Sequence, residues 1–213
     1  MIKEHRPQIT AHHPKITESH PLEPFLPTGA KLLMLGSFPP PAEKWSMNFF
    51  YPNFQNDMWR IIGMIFYDNP GHFIKERKFD AEKIKAFCKQ RGIALYDTAC
   101  KVIRQQNNAS DKYLEVVERT DITALLNRIP ECEAIVVTGQ KATDTLLETL
   151  TCSGLAVSEP SIGEYNRFVF SGKEMLLYRM PSTSRAYPLP IEKKAEIYQK
   201  IFAVDSAFSS INA

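Results

Sequence analysis

The chain has no C-x-x-C pair and no other cysteine spacing suited to a metal or cluster. Its four cysteines, Cys88, Cys100, Cys132 and Cys152, stand singly. That pattern predicts reduced thiols in a cytoplasmic protein, with no metal and no cofactor. No apolar run approaches the roughly 20 residues of a spanning helix, and the amino terminus has no apolar signal-peptide core, so no membrane contact is expected. Neither G-x-G-x-x-G nor G-x-x-x-x-G-K-[ST] occurs, and the dinucleotide and P-loop classes lose their main support. Ser182 lies in Pro-Ser-Thr-Ser without a G-x-S-x-G elbow, and His72 is the only histidine after residue 20, which argues against a serine hydrolase. No repeat, low-complexity segment or linker interrupts the chain.

What is present suits one packed domain: 213 residues, 44% of them apolar. With 26 basic against 24 acidic residues, any nucleic-acid contact has to come from a local patch. Lys75, Arg77, Lys78, Lys83, Lys85, Lys89, Arg91, Lys101 and Arg104 are clustered in sequence, as a DNA-facing patch or as solvated helix surface. Residues 1–30 are rich in proline and histidine (His5, His12, His13, His20) without periodicity, and read as an extended arm laid on a domain spanning 31–213. No acidic or thiol partner stands at ligand spacing from those histidines.

Short apolar runs then alternate with helical patterns. Strands are expected at 32–35, 93–96 and 134–137, a hairpin at 167–170 and 175–178, and helices at 57–67, 81–91, 141–150 and 191–204, with Thr120 capping a helix through Ile129. This order predicts a three-layer α/β/α sandwich around a mainly parallel central sheet. Ligands of such sheets bind beyond the carboxyl ends of the strands. Residues 36–39, 97–101, 138–141 and 180–185 should therefore share one rim.

The segment from Gly36 to Trp59 is the most unusual. A Gly-Ser-Phe-Pro turn ends a strand and leads into Asn48-Phe-Phe-Tyr-Pro-Asn-Phe-Gln-Asn-Asp-Met-Trp59. Aromatics and side-chain amides beside a strand end suit a flat polar ring, so a base-binding pocket is the leading reading. Five pieces in order, Leu35-Gly-Ser-Phe-Pro39, Phe50-Tyr51 to Asn56-Asp-Met-Trp59, Gly92-Ile-Ala-Leu-Tyr-Asp97 with Ser110-Asp111, Thr138-Gly-Gln-Lys-Ala142 and Pro181-Ser-Thr-Ser184, resemble the uracil-DNA glycosylase superfamily. Within it the chain is most similar to the branch that includes hypoxanthine-DNA (deoxyinosine) glycosylases.

The resemblance implies a role for each matching residue. Asn56 matches the asparagine implicated in catalysis in the hypoxanthine branch, where its amide would orient water or polarise the base; capping the following helix is the alternative. Tyr51 matches the aromatic on which the base stacks, or else is an ordinary core ring. Gly36, Ser37 and Phe38 would line the pocket, with core packing open for Phe38. Asp97 sits near a base-reading position and would accept from a ring N–H, or cap its own loop. Gly139 and Lys141 resemble a phosphate contact at a helix N-terminus, or form a plain strand-to-helix turn. Ser182 and Ser184 would bond DNA phosphates while Arg185 or Tyr187 fills the vacated stack, unless the loop simply caps a helix.

Two departures stand out. Phe38 occupies the position where uracil-specific relatives carry a catalytic acid or amide, and Met180 that of their histidine or asparagine before Pro-Ser. The resemblance thus implies a monomeric DNA glycosylase of base excision repair that flips a deaminated base, hypoxanthine or uracil, out of DNA and hydrolyses its N-glycosidic bond through Asn56. A glycosylase-fold protein that binds damaged DNA without cutting, and a nucleotide- or small-molecule-directed α/β enzyme, remain the alternatives.

Overall fold

A computed structural model describes residues 16–105 and 113–203. His5, His12, His13, Ser110, Asp111 and Val204 lie outside the described residues. The elements are β1 (Thr17–Ser19), β2 (Leu32–Gly36), α1 (Met58–Tyr67), β3 (Ile74–Lys75), β4 (Lys78–Phe79), α2 (Ala81–Gln90), β5 (Ile93–Asp97), β6 (Ala99–Arg104), β7 (Leu114–Arg119), α3 (Ile122–Arg128), β8 (Ala134–Thr138), α4 (Gln140–Cys152), β9 (Glu164–Phe170), β10 (Lys173–Met180) and α5 (Ile191–Ala203).

The central sheet has the order β5-β2-β8-β10-β9. Its first four strands run parallel, and β9 closes the edge antiparallel to β10. Every residue of β2, β5 and β8 is buried. These strands read as unbroken apolar runs because helices flank the sheet and leave no wet face. Burial of Leu32, Leu33, Leu35, Ile135 and Val137 makes one continuous core with Trp59, Phe87, Leu146 and Tyr198 of the helices. The expected α/β class with a mainly parallel sheet is what the chain adopts.

Two features differ from the expectation. Residues 99–104 form a strand rather than a βα turn: β5 leaves the central sheet at Asp97, and β6 pairs antiparallel with both β1 and β7 in a three-stranded sheet. The helix expected from Thr120 is capped instead by Asp121, whose carboxylate accepts from the Ala124 N–H at 2.9 Å. Thr120 is buried and its hydroxyl donates to the Asp97 carbonyl at 2.7 Å, so it braces the end of β5.

Candidate functional site

The carboxyl ends of β2, β5, β8 and β10 open onto a cleft of about 560 Å³. Gly36 ends β2 opposite Asp97 in register, and a Cβ there would lie 2.4 Å from Asp97 Oδ1 and 3.6 Å from the Tyr51 hydroxyl. Only glycine leaves room for the carboxylate. Ser37 and Phe38 follow in the cleft wall, and the Gly36 carbonyl accepts from the Thr98 N–H at 2.9 Å, tying the β2 and β5 ends together. Phe38 does two jobs: it lines the cleft and packs with Ala99, Val102 and Leu114 of the second sheet.

Tyr51 reaches the same cleft from the loop before α1, with a left-handed φ of 52°. Its hydroxyl lies 3.1 Å from Thr138 Oγ1 at the end of β8. Burial, and then the negative charge of Asp97, push the phenol well above the ordinary tyrosine value. It therefore stays a neutral hydroxyl. The loop is held by Trp59 Nε1, which donates to the Phe50 carbonyl at 3.0 Å, and by the Ser46 N–H and hydroxyl on the Pro52 carbonyl.

Asn56 lines the cleft at the start of α1. Its Oδ1 accepts from the Met58 N–H at 2.9 Å, so it supplies the helix cap, whereas Asp57, the residue flanking the helix, makes no side-chain cap bond. This bond fixes which end of the amide is oxygen. The Nδ2 group is left as a donor without a partner among the described residues. The carboxylate of Asp57 does not line the cleft; it pairs with Arg185 Nε at 2.9 Å and Lys194 Nζ at 3.5 Å.

Asp97 is buried, and its Oδ2 meets His20 Nε2 at 2.8 Å. The other ring nitrogen faces both backbone groups of Leu22, its carbonyl at 2.8 Å and its N–H at 3.1 Å. A neutral ring accepts from that N–H and a protonated one donates to that carbonyl, so Nε2 donates to Asp97 in either state. His20 also meets Phe38 edge-on and packs on Tyr96. The Pro/His-rich composition of residues 1–30 predicts a surface arm, whereas the His20 side chain is buried. The partners are 77 positions apart, and no local signal joins them.

Ser182, Ser184 and Arg185 line the same cleft from the loop after β10. The serine hydroxyls accept from the Ser184 and Ala186 N–H groups, each at 3.2 Å. Arg185 is tied to Asp57 and, through Nη1, to Gln55 at 2.9 Å. Met180 is fully packed in the core. Gly139 and Lys141 do not line the cleft. The Gly139 N–H donates to the Met180 carbonyl at 3.0 Å and a Cβ there would sit 3.3 Å from Ser182 Cβ, so this glycine lets the β8 and β10 ends approach. Its amide is occupied. Several basic residues between 75 and 104 are engaged locally: Lys85 pairs with Glu82, Lys101 with Glu118, and Arg104 with Glu18 and the Pro39 carbonyl.

Among the described residues no group of three or more His, Cys, Asp or Glu could hold a metal ion. No described helix is long and apolar enough to cross a membrane. No protein-family model and no curated protein matches the chain. A solved structure does. The solution NMR structure of a Methanosarcina acetivorans protein, described as a candidate uracil DNA glycosylase, superposes with a TM-score of 0.59 at 20% identity. The match covers 93% of this chain and all of that one. The fold is shared.

Proposed function

We propose that this protein is a monofunctional DNA glycosylase that excises a deaminated base, hypoxanthine or uracil. The observation that carries the reading is the convergence of Tyr51, Asn56 and Asp97 on one cleft with the Ser182–Arg185 loop. A flipped base stacks on Tyr51. The Asp97 carboxylate, held by His20, accepts from the ring N–H that both uracil and hypoxanthine carry. In the bond-breaking step the C1′–N bond opens with its electron pair leaving on the base, a water oxygen bonds C1′, and a water proton passes to solvent. The negative charge arriving on the base is met by Asn56 Nδ2, a donor already oriented by its bond to Met58. Among the described residues no lysine lines the cleft, which supports a reading without a Schiff-base step and with an abasic site as product.

Binding of damaged DNA without excision is the second reading, favoured by the apolar side chains of Phe38 and Met180 where relatives carry polar groups. Incubation with oligonucleotides carrying uracil, hypoxanthine, xanthine or a thymine mismatch, followed by alkaline cleavage, separates the two. Free base together with strand scission marks the enzyme; tight lesion binding without either marks the binder.

A further inference from the structure

A second concavity, of about 600 Å³, shares Arg185 with the cleft. Its charged lining groups are Asp57, Arg60, Arg185 and Lys194, so three cations surround one carboxylate. A clip pinning the Ser182–Pro188 loop to α1 and α5 requires only one cation for that carboxylate. Asp57 is already divided, Oδ1 to Arg185 at 2.9 Å and Oδ2 to Lys194 at 3.5 Å.

The surplus charge sits on buried groups. Lys194 is 1% exposed, and its ammonium has three donors but only one short contact, to the Ser184 carbonyl at 2.9 Å. Arg60 is 9% exposed and makes no ion pair among the described residues. Its Nη1 bonds the Phe54 and Asn56 carbonyls at 2.9 and 3.0 Å, and its guanidinium lies over the adjoining Phe54 and Phe79 rings at 4.4 and 5.1 Å from their centroids. Burial, and then repulsion from Arg185, lower its pKa from the ordinary arginine value, with the Asp57 carboxylate opposing them. Three cations against one carboxylate leave a net positive charge at this wall, and Arg60 and Lys194 are themselves buried, so an anion is attracted more strongly than by the same charges in open solvent. Leu189 and Ile191 add apolar wall, which suits a ligand larger than a bare ion.

We infer that this concavity is a phosphate subsite, taking a phosphodiester of the strand whose flipped nucleotide occupies the neighbouring cleft. Arg185, common to both, marks where the strand passes from one to the other. Assigning the phosphate to DNA rests on the glycosylase reading; the anion site itself does not.

Two measurements on the full chain test this. Inorganic phosphate, titrated while the amide resonances of Gly71 and Leu189 are followed, should give saturable shifts that Lys194→Met abolishes. Affinity for a lesion-free duplex, measured against salt, should lose roughly 0.9 from its log–log slope in Lys194→Met, the loss of one phosphate contact. Leu189→Glu, which adds a carboxylate to the wall without removing a buried group, should do the same if Lys194→Met does not fold. Phosphate shifts with no DNA affinity would keep the anion site and sink the glycosylase reading. Phosphate shifts with DNA affinity but an unaltered slope would overturn the backbone assignment in favour of a small phosphate ester. Absence of shifts, with wild-type slopes in both variants, overturns the subsite while leaving base excision untouched.

Discussion

At Asn56 one side chain serves a helix and a cleft through different atoms. Oδ1 caps α1, and in the proposed reaction Nδ2 would be the donor offered to the departing base. Asn56→Asp separates these roles, because a carboxylate still accepts from the Met58 N–H but has nothing to donate. Single-turnover excision should fall roughly 10²–10³-fold in Asn56→Asp with stability retained, whereas Asn56→Ala should also lose about 1 kcal/mol of stability. Equal excision by Asn56→Asp and wild type would make the residue a cap alone. In the proposed reaction Tyr51 would carry the stacking, and base–aromatic stacking contributes roughly 1–3 kcal/mol. Tyr51→Ala should weaken lesion binding about ten-fold or more, measured by titration with a labelled lesion oligonucleotide, while Tyr51→Phe should bind nearly as wild type.

Among the elements, the pairing of β1 with β6 brings an amino-terminal histidine to the end of β5, since Ser19 stands opposite Lys101 and the His20 N–H donates to the Cys100 carbonyl at 2.7 Å. His20→Leu would leave the buried Asp97 carboxylate without its donor. That change should cost roughly 1–3 kcal/mol, read from urea unfolding, and should reduce excision as well; an unaltered unfolding midpoint would show that the bond contributes nothing. The elements differ in how far they can be read in the chain. Strands β2, β5 and β8 are legible because each is an apolar run buried on both faces and bounded by turn residues. Strands β6 and β7 are not: Cys100-Lys-Val-Ile-Arg104 and Leu114-Glu-Val-Val-Glu-Arg119 alternate only partly, and their sheet exists through pairing with each other and with the arm. The choice of Asp121 over Thr120 as a cap turns on tertiary contact too, because Asp97 takes the threonine hydroxyl. In the cleft, the strand-end residues Gly36, Ser37, Phe38 and Asp97 and the loop residues Tyr51 and Asn56 are identifiable from sequence. The His20 contact and the occupied amide of Gly139 depend on distances no motif encodes.

For the whole molecule, the buried tyrosines set an alkaline limit. Burial raises Tyr51 and Tyr198 above the ordinary value of 10.0, with Asp97 adding to the first and Tyr51 to the second. The folded state then holds these protons more tightly than the unfolded chain, so their contribution is complete below about pH 10 and declines as pH rises beyond it. Urea midpoints measured from pH 8 to 11 should fall above pH 10, and Tyr51→Phe should flatten that fall. The shared fold, the cleft at the sheet's carboxyl edge and the oriented Asn56 donor all bear on one reaction. It is tested most directly by single-turnover incubation of the full chain with duplexes containing uracil or hypoxanthine, with released base measured by chromatography beside Asn56→Asp. The account predicts free base and an alkali-labile abasic strand from wild type, reduced at least a hundred-fold in the variant. Folded wild-type protein that binds neither lesion and releases neither base would contradict it.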